Sequence, residues 1–187
     1  TTRKMLMQFK QQYPRKNCHF GYIPENLRLG KAIQVFTQAD RFVVGLEDQQ
    51  DQAIIQELLG TFTERFVWMS IESAEMTKHA INAFLALSVT FINEIATLSE
   101  NLGANASEVE AGLKSEERIG PKAYLRAGGA IAGGTLLRDI NFLNQIGEKQ
   151  NHPVPLLASV LKSNAYHKNW IHRKLSALLN LSLIHIS

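Results

Sequence analysis

Cysteine is almost missing from this chain, since Cys18 is the single cysteine among 187 residues. One thiol excludes a disulfide within the chain and provides no cysteine cluster for a metal, as is usual in a reducing compartment. We therefore expect a cytoplasmic protein without a metal centre. The segment at residues 17–20 has the pattern of the start of a buried strand, so Cys18 is predicted to be a small, buried and inert thiol.

Strong charge and long apolar runs are also absent. The formal net charge is +3, and the basic residues are scattered instead of forming the patch that binds nucleic acid. The longest apolar stretch, Ala83–Val89, is much shorter than the about 20 residues that span a bilayer, and no signal peptide is visible. With 45% hydrophobic and 20% charged residues, the composition predicts a soluble globular protein without nucleic-acid or membrane partners.

A third absence is the Gly-x-Gly-x-x-Gly turn between a strand and a helix, with which a dinucleotide-binding domain begins. Residues 1 to about 70 nevertheless alternate helical and extended patterns, as in the later part of an α/β domain. We therefore expect a fragment that lacks the first strands of such a domain. The predicted elements are a helix at Lys4–Gln12, an extended segment at Phe20–Ile23, a buried strand at Arg41–Gly45, a helix at Gln50–Gly60 and a strand at Phe66–Met69.

Helical periodicity dominates the second half of the chain, which we predict to be all-α. A long helix from Ser73 to about Asn101 carries apolar residues at helical spacing and ends before Gly103. Its own domain can bury most of this apolar face, and part of the face is available to a second subunit. Shorter helices are predicted at Ser107–Gly112 and Thr135–Glu148, then one helix from Leu156 to about Leu179, and residues 181–187 are expected to be a non-native tail.

Two segments combine polar side chains or glycines in patterns that suit a binding site. Lys78 and Asn82 are four residues apart and share one helix face, where a lysine either extends to solvent or points into a site. The spacing alone favours the solvent-exposed alternative. The glycines within residues 128–134 permit a tight turn before the helix at Thr135, whose hydroxyl could simply cap that helix.

The same segments resemble the central domain of the UDP-glucose/GDP-mannose dehydrogenase family. Its Glu-Met-x-Lys-x-x-x-Asn signature is matched in full by Glu75, Met76, Lys78 and Asn82. The resemblance implies that this lysine and asparagine hold a water or the reacting sugar oxygen and stabilise negative charge as the alcohol loses its hydride. The second family segment ends Gly-Gly-Ser-Cys-Phe-Pro-Lys-Asp, and Thr135 stands in the place of its nucleophilic cysteine.

The resemblance also implies the other residues of the site. Glu25 matches a glutamate that acts as a general acid or base or orients water, whereas Leu29 replaces a second glutamate of the family. Asp139 is implied as the carboxylate beside the reacting oxygen, and Arg138 as a contact of the cofactor NAD. The implied substrate-binding residues are Leu27, Arg118, Tyr124, Leu125 and Gly133, with Arg118 reaching the sugar held by the partner subunit of a homodimer.

The implied fold class is α/β followed by all-α. Residues 1–70 would be the end of a Rossmann-like NAD-binding domain, and residues 71–180 a central helical dimerisation and substrate domain similar to the C-terminal domain of 6-phosphogluconate dehydrogenase. The implied activity is NAD-dependent oxidation of the sugar alcohol of a nucleotide-sugar. Threonine is a far weaker nucleophile than cysteine, which leaves two outcomes open. The reaction is limited to one two-electron step, or the second step proceeds through a hydrated aldehyde with Thr135 only orienting water.

Two alternatives remain open from the sequence. A 3-hydroxyacid-type dehydrogenase also uses a helical lysine and asparagine without cysteine, and it oxidises a free acid in one step. A catalytically impaired paralogue would bind a nucleotide-sugar or dimerise without reducing NAD, which the loss of the cysteine and of one glutamate permits. The substrate requirement and the formation of NADH distinguish the three functions, and the fragment alone is expected to be inactive.

Overall fold

The computed structural model describes residues 2–14, 18–24 and 30–184. The chain divides into two compact units, Thr1–Ala80 and Ile81–Ser187. The first unit combines a small sheet with helices, and the described residues of the second contain helices but no strand. The order of an α/β part followed by an all-α part is therefore the one predicted.

Three strands form the sheet of the first unit, in the order β1, β2, β3. β1 (Gly21–Tyr22) pairs antiparallel with β2 (Phe42–Leu46), and β3 (Phe66–Ser70) pairs parallel with β2. Every residue of β2 is buried, as expected for a central strand that is covered on both faces. The strands predicted at 41–45 and 66–69 are confirmed to within one residue.

The core of the first unit is formed by Phe42, Val44 and Leu46 of β2 together with Leu59. The predicted helices at 4–12 and 50–60 are confirmed, although the second begins with a 3-10 turn. A short helix that the sequence did not predict lies between β1 and β2, with Ile33 81% exposed on its surface. The helices are α1 (Thr2–Gln12), α2 (Ala32–Thr37), the 3-10 turn Gln49–Asp51 and α3 (Gln52–Leu59).

Strand β2 passes very close to the start of helix α4 (Ile71–Leu102). A Cβ atom on Gly45 would lie 2.8 Å from the Ile71 Cα and 2.9 Å from the Ala74 Cβ. Real Cβ atoms do not approach other atoms so closely, and both Ile71 and Ala74 are 0% exposed. Glycine at position 45 is therefore what allows the strand and the helix to pack together.

Helix α4 is the longest described element and ends at Leu102, before Gly103 with its φ of +73°, as predicted. By length and composition α4 could cross a membrane, a property that the apolar run at 83–89 did not indicate. Within the second unit, however, Ala83, Ala86 and Ile92 are buried by neighbouring protein. We therefore identify α4 as the core helix of this fold.

Four further helices complete the second unit. Ala86 of α4, Ile140 and Val160 are almost fully buried in one cluster, which joins three of the helices. Pro155 is the first residue of one helix. A backbone N–H at this position would have no partner within the helix, so proline, which lacks that N–H, is well tolerated there. The helices are α5 (Ala106–Ser115), α6 (Thr135–Lys149), α7 (Pro155–Lys168) and α8 (Trp170–Ile184).

Two predictions about this fold are wrong. Cys18 is exposed, because the strand that was expected to bury it begins only at Gly21 and is two residues long. The single helix predicted from 156 to about 179 is divided into α7 and α8. The division lies at Asn169, where φ is −91° and ψ is 7°, and neither glycine nor proline marks it in the sequence.

Candidate active site

A buried polar pair joins α4 to α6 in the second unit. Asn82 is 8% exposed and Asp139 is 3% exposed. The Asn82 Nδ2 group donates a hydrogen bond to Asp139 Oδ2 over 2.5 Å. Buried carboxylate and amide groups are stable only when they are hydrogen-bonded, so each residue fixes the orientation of the other.

Two more of the predicted residues lie one helical turn before this pair. Lys78 precedes Asn82 on α4 and is half-buried, while Thr135 precedes Asp139 on α6 and is exposed. Arg138 is also on α6, where its Nε atom lies 4.0 Å from Asp139 Oδ1 and its side chain is 69% exposed.

The start of α6 depends on backbone geometry instead of a capping side chain. Gly133 and Gly134 have φ values of 134° and 75°, which L-amino acids with a Cβ rarely adopt. Gly134 is the N-cap, and no side chain of the described residues donates or accepts a capping hydrogen bond there. The suggestion that the Thr135 hydroxyl caps α6 is therefore wrong, because Thr135 is already the first residue of the helix.

A long loop leads to this turn. Residues 116–134, which all belong to the described part of the chain, connect α5 to α6 without helix or strand. The segment at residues 123–125 lines two grooves. Loops of this length without secondary structure are uncommon in compact domains and are often functional.

The larger groove has a volume of about 720 Å³ and follows residues 123–131 of the loop. Two basic side chains line it, those of Lys114 and Arg126, and Lys114 forms an ion pair of 2.6 Å with Glu110. Tyr124 is 56% exposed on its rim, while Leu125 is 8% exposed in its wall. This groove combines apolar walls with positive charge, a combination that suits an anionic organic ligand.

The smaller groove, of about 470 Å³, lies between α4 and the same loop. Phe84 and Phe91 of α4 line it together with Arg118, whose side chain is 87% exposed. Arg118 Nε donates to Glu116 at 2.7 Å, and hydrogen bonds from the Arg118 side chain and backbone lower the pKa of Glu116. Tyr124 and Leu125 line this groove as well.

The structure thus brings several predicted residues together and leaves others aside. Asn82 contacts Asp139 directly, with Arg138 beside them, and Arg118 shares one groove with Tyr124 and Leu125. Glu25 and Leu27 lie outside the described residues. No group of three or more His, Cys, Asp or Glu side chains in the described part of the chain is arranged to hold a metal ion.

The first residue of the matched signature, Glu75, has its contacts in the first unit. Its Oε1 atom accepts hydrogen bonds from Thr2, at 2.6 Å from the hydroxyl and 2.9 Å from the backbone N–H. These hydrogen bonds, first from the side chain and then from the backbone, lower the pKa of Glu75. Because Thr2 begins α1, this carboxylate fixes the N-terminus of α1 to α4.

Three side chains that the sequence analysis missed contact the backbone of the long loop. They are Asn93 of α4 and Asn164 and His167 of α7. Asn93 and Asn164 are each 2% exposed. Asparagine is a poor helix former. An asparagine among the apolar residues of each of two predicted helices is therefore the feature of the sequence that could have indicated a role for Asn93 and Asn164.

Comparison with known proteins shows the family to which the chain is similar. The sequence pattern of the UDP-glucose/GDP-mannose dehydrogenase family, central domain, matches residues 72–166, about half of the chain. The chain is 34% identical over 180 residues to the UDP-glucose 6-dehydrogenase TuaD of Bacillus subtilis, covering 95% of this chain and 39% of that protein. It is also 34% identical over 160 residues to the UDP-glucose 6-dehydrogenase of Rickettsia typhi, covering 84% of this chain and 37% of that protein.

Solved structures give the same result at the level of the fold. A UDP-glucose dehydrogenase from the archaeon Pyrobaculum islandicum superposes with a TM-score of 0.76 at 26% identity, over 86% of this chain and 37% of that one. A UDP-D-ManNAc dehydrogenase from Pyrococcus horikoshii superposes with a TM-score of 0.79 at 18% identity, over 97% of this chain and 43% of that one. The chain therefore spans less than half of the length of these relatives.

Proposed function

Because the chain belongs to the UDP-glucose/GDP-mannose dehydrogenase family, we propose that it carries the alcohol-oxidising residues of a cytoplasmic NAD-dependent nucleotide-sugar dehydrogenase. The observation that carries this proposal is the buried hydrogen bond between Asn82 Nδ2 and Asp139 Oδ2, which are 2.5 Å apart. This bond fixes the orientation of the amide relative to the carboxylate. Such a pair is suited to hold a sugar hydroxyl in one geometry while its charge changes.

In this mechanism each side chain has one task at the reacting oxygen. Asp139 holds the Asn82 amide in place and faces the hydroxyl of the sugar. Lys78, one turn earlier on α4, supplies positive charge that stabilises the oxygen as the alcohol loses its hydride. Bound NAD would accept that hydride, and the hydroxyl proton would pass to a base, for which the family resemblance implies Glu25, directly or through water. The exposed guanidinium of Arg138 would contact the cofactor, a contact that its charge and exposure permit.

Thr135 limits the reaction to its first oxidation. In sequence Thr135 stands where the family has its nucleophile, and it is exposed at the first residue of α6. A hydroxyl needs an adjacent base to attack an aldehyde, whereas a thiolate does not. We assign to Thr135 at most the orientation of a water molecule.

The larger groove is the proposed site of the nucleotide-sugar. Its volume of about 720 Å³ is within the range of about 300–1,000 Å³ that is typical of small-molecule sites. Lys114 and Arg126 provide the cations that a diphosphate requires, and Tyr124 offers an aromatic face on the rim.

We propose that the protein is a homodimer through α4. Phe84, Phe91 and Leu98 are seven residues apart and are 67%, 47% and 55% exposed. With the intervening positions they form a seam at alternating spacings of four and three residues, which is the pattern of a helix that packs on another helix. The seam positions are Phe84, Ser88, Phe91, Ile95, Leu98 and Leu102.

The dimer can be tested with one charged substitution. Phe91→Glu places a carboxylate in the centre of the seam and is expected to convert the dimer to a monomer in analytical ultracentrifugation. Glu108→Lys on α5 is the control, because it lies outside the seam and changes the net charge of the protein more than Phe91→Glu does. This variant is expected to leave the dimer intact. A Phe91→Glu protein that remains dimeric at micromolar concentration would exclude this interface.

The activity is tested by counting the NADH formed per nucleotide-sugar consumed. The chain spans 37–39% of its relatives' length, so the assay uses the product of the complete gene, with UDP-glucose, GDP-mannose and their N-acetyl derivatives. One NADH per sugar is expected. Two NADH per sugar would contradict the limit that we assign to Thr135.

Two substitutions separate the oxidation from its second step. Lys78→Ala is expected to lower hydride transfer by a factor of about 100 or more, whereas Thr135→Ala leaves the first NADH intact. Lys168→Ala, at the end of α7, serves as the matched control for loss of a lysine. Activity of Lys78→Ala equal to that of the parent would refute the mechanism.

Two other results would replace the proposal with an alternative. Oxidation of a free hydroxyacid, with no activity on nucleotide-sugars, would identify a dehydrogenase of the 3-hydroxyacid type. Binding of a nucleotide-sugar without any NADH would identify a non-catalytic binding protein.

A further inference from the structure

The loop at residues 126–134 is held in shape by side chains from two helices that are distant in sequence. Asn93 Oδ1 accepts from the Gly128 N–H at 2.9 Å, and Asn93 Nδ2 donates to the Gly129 carbonyl at 3.4 Å. His167 Nε2 lies 2.8 Å from the Gly128 carbonyl oxygen, so this ring nitrogen carries the hydrogen. Gly128 is therefore bonded at both its N–H and its carbonyl.

Asn164 binds the loop as a neighbouring strand would. Its Oδ1 atom accepts from the Ile131 N–H at 2.7 Å, and its Nδ2 atom donates to the Ile131 carbonyl at 2.9 Å. The side chain of Ile131, 8% exposed, enters the same apolar cluster as Ile140 and Val160. One amide thus satisfies both polar groups of a residue whose side chain is in the core.

These contacts hold residues that themselves line the larger groove, namely Gly128, Gly129 and Ile131. Arg126 lines the groove just before Gly128, and α6 begins at Thr135, soon after Ile131. Asp139 is held separately by Asn82. The loop contacts therefore control the shape of the groove more directly than the position of the carboxylate.

We propose that Asn93, Asn164 and His167 are positioning residues that hold this loop in the conformation that binds the nucleotide-sugar. The inference rests on the proposed function, because it assigns the nucleotide-sugar to the groove beside this loop. A loop that is ordered before the ligand arrives loses less conformational entropy on binding. Loss of these contacts is therefore expected to weaken substrate binding and to leave the chemical step largely intact.

The first experiment measures the loop without any ligand. Hydrogen exchange is followed by mass spectrometry in the product of the complete gene, on peptides that cover residues 124–134. Asn93→Ala and Asn164→Ala are each expected to speed exchange in these peptides at least tenfold, because the Gly128 and Ile131 N–H groups lose their acceptors. Peptides from α5 are expected to exchange as in the parent.

Matched controls remove neighbouring hydrogen bonds that do not reach the loop. Thr90 is 6% exposed, and Thr90→Val deletes a hydroxyl whose hydrogen bonds within the described residues go to carbonyls of its own helix, those of Ala86 and Leu87. Ser163→Ala deletes the hydrogen bond from the residue before Asn164 to Glu94. Both variants are expected to leave loop exchange and substrate binding unchanged.

A second experiment measures the kinetic constants with UDP-glucose and GDP-mannose. Asn93→Ala and Asn164→Ala are expected to raise KM at least tenfold while kcat changes less than threefold. His167→Phe, which has no donor, is expected to raise KM, and His167→Gln, whose amide N–H has a similar reach, is expected to restore it. Asn164→Asp keeps the shape and the acceptor and serves as the variant if Asn164→Ala does not fold.

The outcomes separate this inference from the proposed function. If the parent binds neither nucleotide-sugar, the proposed function fails and the inference fails with it. If the parent binds one of them but the Asn93 and Asn164 variants match the controls in exchange or in KM, the inference alone is overturned. Faster loop exchange together with a higher KM and restoration by His167→Gln would establish it.

Discussion

Replacing Asn82 by alanine tests the pair on which the candidate site depends. Asn82→Ala removes the Nδ2 donor that lies 2.5 Å from Asp139 Oδ2. Asp139 is only 3% exposed, so the amide is lost from a buried carboxylate and not from one that solvent already surrounds. A hydrogen bond to a charged group contributes about 1.5–3 kcal/mol to stability, and a buried group that loses its partner bears the full desolvation cost.

We expect Asn82→Ala to lower the free energy of unfolding by about 2 kcal/mol. For a protein of this size, that loss corresponds to a fall in Tm of roughly 4–8 °C. Urea denaturation followed by circular dichroism at 222 nm measures the change, with an unchanged m-value as the sign that only stability is affected. Asn144→Ala, which removes an amide bonded to the Ile140 carbonyl of its own helix, is the control and is expected to cost less.

An exchange of the two side chains provides a sharper test. Asn82→Asp alone places two carboxyl groups at hydrogen-bond distance and is expected to destabilise more than Asn82→Ala. The double variant Asn82→Asp/Asp139→Asn restores one amide and one carboxylate and is expected to recover more than half of that loss. Its hydride transfer is expected to stay low, because the amide no longer faces the sugar oxygen from α4.

Two results would refute this reasoning. Asn82→Ala could be within about 0.5 kcal/mol of the parent, which is the ordinary range for a surface substitution. The double variant could be no more stable than Asn82→Asp. Either result would mean that the amide and the carboxylate do not stabilise each other.

The remaining predictions concern the first unit and the end of α4. Gly45→Ala is expected to lower the free energy of unfolding by about 3 kcal/mol or more, because the new Cβ would lie 2.8 Å from the Ile71 Cα. Thermal denaturation of the variant measures this loss, and a Tm equal to that of the parent would contradict the prediction. Burial raises the pKa of Glu100, but hydrogen bonds from Lys174 and Trp170 and the charge of Lys174 outweigh it and lower the pKa below its ordinary value of 4.5. The stability due to this pair is therefore present above pH about 4.5 and is lost as the pH falls through the lowered pKa. The parent and Glu100→Gln are expected to differ in Tm at pH 7 and to converge as the pH is lowered below that pKa.

The strands and the long helix could be predicted because their signals are local. The run 42–46 is apolar and rich in β-branched residues, and a strand buried on both faces needs no more than that. Helix α4 has a regular apolar periodicity and ends at a glycine with positive φ. In contrast, nothing in the sequence near Asn169 distinguishes the end of α7 from a continuing helix.

Spacing along one helix could predict only part of the candidate site. Lys78 and Asn82 are four residues apart and therefore share one face of α4, whereas Thr135 and Asp139 were implied by the family resemblance alone. The contact of Asn82 with Asp139 across α4 and α6 is a hydrogen bond between residues 57 positions apart, and helical periodicity carries no information about such distances. The exposure of Cys18 was missed for a similar reason, since the length of β1 depends on its pairing with β2.

Transplanting the loop at residues 126–134 into another enzyme would require residues that are not in the loop. Its backbone is shaped by Asn93, Asn164 and His167, which come from α4 and α7. A graft of the loop alone would leave Gly128 and Ile131 without these partners and would lose its form. The transferable unit for redesigning substrate choice is the loop together with those three helical side chains.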